Sequence, residues 1–403
     1  MKKRILFVDD DTMILQGIRR LLHSKRNEWD VRYAASGEEA LSLIGQDAFE
    51  VVVTDMRMPG MGGAQLLEKV RALLPCAVRI VLSGQSEMGT LMQAATLGHQ
   101  FLSKPCSSDE LIGTLNRVLD LHGILTNEAV RRTVSGLASL PALPNAYVEI
   151  VQELRKSSPS LDRVGRIVER DMALSAMFLK LVNSSFFGFY QKIMHPAQAV
   201  TLLGADILQG MILGAHLFAT LKPKDNLPFA LNLLWAHCFR VGCLARTIGM
   251  AQGLAEDALT TCYTAGLLHD VGKLVLAVSF TSEYRTILDR VREQGESVSQ
   301  AELAVLGVTH AEVGAYLLGV WGLGQETVKS VYCHHALDRV EAGGMSPAVA
   351  VHAADCLDHK LVNLNAYRVP EPDMAWLEKE GLLPCLPKWE EESGKACAEI
   401  SEE

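Results

Sequence analysis

No Cys-x-x-Cys pair occurs anywhere in this sequence, and its nine cysteines are scattered along 403 residues. That spacing offers neither a zinc ribbon nor a disulfide framework, and it points to a reducing, cytoplasmic setting. Basic charge is not in excess either. Lys and Arg number 38 against 47 Asp and Glu, a formal net charge of -9, which argues against nucleic acid as a direct partner. No charged-then-apolar leader opens the chain, because Met1–Arg4 runs directly into the apolar ILFV. No long apolar run is uninterrupted. The strongest, AVTLLGADILQGMILGAHLFATL (199–221), contains Asp206, Gln209, His216 and glycines, so it reads as packed core helices and not as a membrane span.

The length suggests two or three domains. Over the first 120 residues, short apolar runs alternate with amphipathic helical patterns, which predicts a parallel sheet with helices on both faces. The runs are ILFV (5–8), VRYA (31–34), VVVT (51–54), RIVLS (79–83) and HQFLSK (99–104). The first leads into Asp9 and Asp10 and the third into Asp55; the fourth ends on Ser83 and the fifth on Lys104. In a doubly wound sheet the carboxyl ends of the strands line one crevice, so these groups are expected to converge. Clustered carboxylates repel one another unless a hard cation joins them, and Mg2+ prefers such oxygen ligands. A cation there would also screen an incoming phosphoryl group, with Lys104 and Ser83 holding its oxygens and Asp55 acting as nucleophile.

The motifs FVDDD (7–11), TDMRMPGMGG (54–63), LSGQ (82–85) and FLSKP (101–105) closely resemble those of the CheY-like response-regulator receiver domain. The resemblance implies Asp55 as phosphoacceptor, a Mg2+ site built from Asp9, Asp10, Asp55 and the Arg57 carbonyl, and Ser83 and Phe101 as switch residues. It also implies a sensor histidine kinase as partner.

Residues 121–137 lack Pro/Gly richness and carry helical spacing, so a helical linker is expected, able to pair with its copy in a homodimer. Residues 138–360 show no strand-like alternation and read as an all-α domain. Ser160 is a candidate N-cap, and 171–188 fits an amphipathic helix. In this half, His237, the adjacent pair His269 and Asp270 in GLLHDVGK, His310, His334, His335 and Asp355 recur in otherwise apolar helices. Burying unpaired carboxylates is costly. A metal ion among the imidazoles would satisfy them. So would a hydrogen-bond network in which His237 and His269 hold Asp270 and Asp355, and the sequence leaves both open.

SGLASLPALP (135–144), RDMALSAMFLKLVNSSFFG (170–188), AVTLLG (199–204) and GLLHDVGKLVL with a downstream CHH are similar to the HDOD family, a branch of the HD superfamily of metal-dependent phosphohydrolases. The resemblance implies an all-α regulatory module acting through a downstream signalling protein. By the superfamily pattern, His237, His269, Asp270 and Asp355 would hold one ion (Fe, Mn or Zn). His310, His334 and His335 would complete a second, with Asp270 bridging and Lys273 assisting. ALDRVEAGGMSP follows His335 where the cyclic-dinucleotide phosphodiesterases of the superfamily carry a Gly-Tyr-Pro loop, so that activity stays an alternative. Residues 361–403 read as a short docked helix and a solvated acidic tail.

Overall fold

A computed structural model describes residues 2–84, 98–104, 106–124, 145–154, 156, 158–170, 179, 193, 195–220, 229–362 and 370–401. The chain divides into two compact units. One is Met1–Val148 with Leu318–Leu323, the other Glu149–Leu317 with Gly324–Glu403.

The first unit is a five-stranded parallel sheet of order β2-β1-β3-β4-β5, formed by β1 (Lys3–Val8), β2 (Trp29–Ala34), β3 (Val51–Asp55), β4 (Val78–Gly84) and β5 (Gln100–Lys104). Ile5, Leu6, Phe7 and Val8 are all buried, as are Val51, Val52 and Val53. Runs apolar on both faces are what a sheet covered on both sides requires. The helices α1 (Thr12–Leu21), α2 (Gly37–Ile44), α3 (Gly63–Leu73) and α4 (Ser108–Ile124) supply the cover. Asp11 caps α1 by accepting from the Met13 amide, and Ser36 caps α2 by accepting from Glu39. The parallel register pairs Val8 with Thr54, Asp55 with Leu82 and Gly84 with Lys104. Four strands therefore end along one edge.

The second unit is helical throughout its described residues. In chain order the helices that lie wholly or mostly in it are α5 (Asn145–Leu154), α6 (Leu161–Glu169), α7 (Pro196–Leu203), α8 (Ala205–Thr220), α9 (Leu231–Ala251), α10 (Glu256–Leu268) and α11 (Val271–Ser279). Then come α12 (Thr281–Gln294), α13 (Val298–Leu306), α14 (His310–Val320), α15 (Gln325–Cys333), α16 (Pro347–Leu361), α17 (Met374–Lys379) and α18 (Leu386–Ser401). Ser160 accepts from the Arg163 amide at 3.3 Å and caps α6. The apolar run at 199–221 is split between α7 and α8 at Gly204, whose φ of 81° breaks the helix. No single helix among the described residues is long and apolar enough to cross a membrane.

At its centre α9 packs against α10 and α16, and α10 against α15 and α16. The close α9–α10 crossing needs Gly266, where an added Cβ would stand 2.7 Å from the Gly242 Cα.

The expected helix at 171–188, apart from residue 179, lies outside the described residues. So do residues 125–137 of the expected linker, and the side chains of Ser83 and Phe101.

The acidic end is not a solvated tail as far as Ser401. The sequence KWEEESGKACAEIS forms most of α18, which packs on α9, with Trp389, Ser393 and Cys397 buried. These lie at i, i+4 and i+8, one helical face, while Glu391 and Lys395 are exposed.

Candidate functional site

In the first unit the strand ends bring together Asp9, Asp55 and Lys104. The Lys104 ammonium donates to Asp9 Oδ2 and Asp55 Oδ1, each at 2.6 Å, and both carboxylates are buried. The Arg57 amide donates to Asp55 Oδ2 at 2.8 Å, and the Asp11 amide to Asp9 Oδ1 at 3.0 Å. Asp10 follows at the same edge and is exposed. Ser83 lies near the end of β4, paired with Ser103.

Burial pushes the Asp9 carboxyl above the usual range even though Lys104 pulls it down. Burial also lowers the Lys104 ammonium, but Asp55 and Asp9 outweigh it and raise its pKa. One ammonium thus under-compensates two buried carboxylates, and a divalent cation fits the donor set.

The larger cluster is in the helical unit. His269 and Asp270 form the corner between α10 and α11. Gly272 in the same motif lets α11 press against the start of α14, because a Cβ there would lie 1.9 Å from the His310 carbonyl oxygen. That approach brings His310 Nε2 to 3.3 Å from Asp270 Oδ1. His237 comes from α9, His334 and His335 follow α15, and Asp355 lies in α16. All seven side chains proposed from sequence converge. His237, His269 and Asp355 form one group able to share an ion, and Asp270, His310, His334 and His335 form another.

The far side of each ring fixes what the near side offers. His269 Nδ1 lies 2.7 Å from the Gly266 carbonyl oxygen, and His334 Nδ1 lies 2.6 Å from that of Val331. A carbonyl oxygen only accepts, so both Nδ1 atoms carry a proton, which leaves each Nε2 free to offer a lone pair to the cluster. Those nitrogens face further ring nitrogens and carboxylate oxygens. His269 Nε2 lies 3.2 Å from His237 Nε2, 3.5 Å from Asp270 Oδ1 and 3.6 Å from Asp355 Oδ1. His310 Nε2 stands 3.3 Å from His334 Nε2 and 3.1 Å from His335 Nε2. Asp270 Oδ1 and Asp355 Oδ1 are buried without a hydrogen-bond donor. The nearest ring nitrogens to these two oxygens are His237 Nε2, 3.3 Å from Asp355 Oδ1, and His310 Nε2, 3.3 Å from Asp270 Oδ1. The geometry therefore fits cations between the groups, with imidazole and carboxylate as the donor set.

Burial alone would raise the Asp270 carboxyl, but His269, Lys273, His310 and His237 outweigh it and hold it well below the usual carboxylate range. Asp355 is likewise pushed up by burial and pulled well down, by His237, His269 and His359. Burial lowers His334 well below the ordinary imidazole value, which keeps it neutral as a ligand must be. His237 is lowered by burial yet raised to about 9 by Asp355 and Asp358, so an ion binding there displaces a proton. Lys273 donates to Asp270 Oδ2 at 2.6 Å, leaving Oδ1 to face the histidines.

Several partners of these ligands were not apparent from the sequence. Asp358 accepts from His237 Nδ1 at 2.7 Å and pairs with Arg240. Glu302 holds the Nδ1 of His310 at 2.7 Å. His359 Nε2 lies 3.5 Å from Asp355 Oδ1. A cavity of about 670 Å3 opens onto the cluster and is lined by Asp270, Lys273, His335 and Asp355 together with Leu234, Leu288 and Val291.

The HDOD domain model matches residues 140–337, and the response regulator receiver domain model matches residues 5–116. The chain is a receiver domain followed by an HDOD domain. A solved HDOD domain protein of unknown function from Geobacter sulfurreducens shares the helical fold, at a TM-score of 0.54 and 24% identity over 69% of this chain and 94% of that one. An uncharacterized protein of Treponema pallidum (strain Nichols) is 30% identical over 203 residues, 49% of this chain and 38% of that protein. The chain thus matches well under half of that relative's length. The transcriptional activator protein ExaE of Pseudomonas putida is 29% identical over 181 residues, 43% of this chain and 82% of that protein. That relative's name does not fit the expectation, drawn from net charge, that nucleic acid is no direct partner.

Proposed function

We propose that the protein is a phosphorelay response regulator in which a sensor histidine kinase phosphorylates Asp55 and the HDOD domain passes the signal to a downstream signalling protein. The observation that carries this reading is the placement of Asp9 and Asp55 about one ammonium, Lys104, at the ends of three strands. Mg2+ held by Asp9, Asp10, Asp55 and the Arg57 carbonyl would neutralise the phosphoryl oxygens. Asp55 presents Oδ1 to the phosphoryl donor once Lys104 releases it, and its Oδ2 stays oriented by the Arg57 amide. Lys104 then pairs with the new phosphoryl group, and Ser83 and Phe101 report its arrival as the switch hydroxyl and aromatic. In this reading residues 1–120 are the receiver, 121–137 a linker helix that supports a homodimer, 138–360 the output domain and 361–403 its C-terminal extension, all in the cytoplasm. Incubation with acetyl phosphate and Mg2+ should label the wild type and not Asp55→Asn; a label that survives the substitution rejects the acceptor.

The donor-free oxygens of Asp270 and Asp355 favour a second reading, a metal-dependent phosphohydrolase of the cyclic-dinucleotide class gated by the receiver. His237, His269 and Asp355 would hold one ion, and Asp270, His310, His334 and His335 the other. Such ions would supply a nucleophilic water and screen phosphate charge. Lys273 orients Asp270, and the cavity gives a substrate access to the cluster. Turnover of a cyclic dinucleotide by the wild type, abolished in Asp270→Asn, would establish this activity. A metal-loaded protein that turns over no such substrate leaves the signalling reading alone.

A further inference from the structure

Four rings of the cluster point Nε2 inward, and their Nδ1 atoms are held in two ways. His269 and His334, one in each ligand group, are fixed by main-chain carbonyls. His237 and His310, again one in each group, are fixed by carboxylates at the same distance, 2.7 Å, from Asp358 and Glu302. The two ion positions are therefore built on one plan.

The carboxylates themselves differ. Asp358 is bound by the Arg240 guanidinium at 2.6 and 2.9 Å, so its charge is neutralised in place. Glu302 is fully buried, and its donors are the His310 amide at 2.8 Å, the His310 ring and the Tyr284 hydroxyl at 3.0 Å. Among the described residues no lysine or arginine pairs with it. Lys273 is bonded to Asp270, and its charge also acts on Glu302 behind one group and on Asp355 in the other, so it favours neither. A carboxylate with no salt-bridge partner behind an imidazole strengthens it as a ligand more than one clamped by arginine does. The His310 group also offers three imidazoles against two.

We propose that the two positions are unequal: the one formed by Asp270, His310, His334 and His335 takes a divalent transition-metal ion first, and Glu302 is the positioning residue that makes it the tighter. This rests on the reading that the two groups hold ions. Tyr284 extends the same chain to the cavity wall, so a wall residue sits two hydrogen bonds from a ligand of the tighter ion.

The test is calorimetric titration of the metal-stripped, full-length, untagged protein with Mn2+ at fixed pH. Two resolved binding events are expected. Glu302→Gln should weaken the tighter event about tenfold or more and leave the weaker one in place, whereas Asp358→Asn should act on the weaker one. Should Glu302→Gln fail to fold, His237→Ala should keep the tight event and His310→Ala should lose it. Two equal events, or a Glu302→Gln effect shared by both, overturns the inference while leaving the metal reading intact. The reverse assignment of the alanine variants overturns it too. A wild type that takes up no Mn2+ removes the metal reading itself.

Discussion

The Nε2 atoms of His237 and His269 stand 3.2 Å apart in a buried cluster, and the Nδ1 proton of His269 is already given to the Gly266 carbonyl. Two carboxylate oxygens beside them find no hydrogen-bond partner, so the cluster carries more buried negative charge than its donors satisfy. If cations bind between these groups, as proposed, their binding is linked to the stability of the HDOD domain. With free ion at about a hundred times its dissociation constant, one site contributes about 2.7 kcal/mol. Chelation should accordingly lower the midpoint of thermal unfolding by several degrees, and Mn2+ should restore it. An unchanged scan contradicts the linkage.

Asp270 lies within reach of both ligand groups, at 3.7 Å from His237 and 3.3 Å from His310, whereas Asp355 approaches His237 and His269 at 3.3 and 3.6 Å. Asp270→Asn should therefore deplete both ions in elemental analysis, and Asp355→Asn chiefly one. Equal stoichiometry in the two variants would speak against this division.

In the receiver, Lys104 is the cation that holds Asp9 and Asp55 together. Lys104→Met leaves two buried carboxylates facing each other, and breaking a buried pair in this way costs about 3 kcal/mol. The loss should be seen in denaturant unfolding without Mg2+, and added Mg2+ should recover more stability in the variant than in the wild type. A variant as stable as the wild type in chelator would show the lysine to be dispensable.

His99 is buried, and burial with the neighbouring Arg79 lowers its pKa well below the ordinary value. The unfolded chain takes up this proton first, near pH 6.5, so stability present above that pH is lost as pH falls below it. The slope approaches about 1.4 kcal/mol per pH unit between the unfolded and folded values. Unfolding of the receiver followed from pH 7.5 to 5.5 should show this fall, and His99→Gln should flatten it. A wild-type profile flat over that range would remove His99 from the account.

Trp389 is fully buried in α18. Trp389→Ala should destabilise the HDOD domain by about 3–5 kcal/mol, the usual cost of deleting a core tryptophan. A loss within about 0.5 kcal/mol, ordinary for a surface position, would return the C-terminus to the solvated state its composition suggests.

Much of this was legible because buried charge is conspicuous in apolar surroundings. His269, Asp270, His310, His334 and Asp355 interrupt helices that otherwise read as core, and the five apolar runs of the receiver mark strands closely because a sheet covered on both faces admits few polar residues. Glu302 and Asp358 escaped because a lone acid in a helix usually lies on a solvated face. The available signals were the apolar neighbours of Glu302 in AELAVLG and the one-turn spacing of Asp358 from Asp355. The last helix was hidden by its glutamates, which share the same segment with the four-residue repeat of Trp389, Ser393 and Cys397.

The HDOD domain is proposed to enclose two cation positions. Anomalous diffraction from crystals of the full chain soaked in Mn2+ tests it most directly. Two peaks are predicted, one coordinated by His237, His269 and Asp355 and one by Asp270, His310, His334 and His335. A cluster that shows no anomalous density, with its histidines bridged by water, would contradict the account.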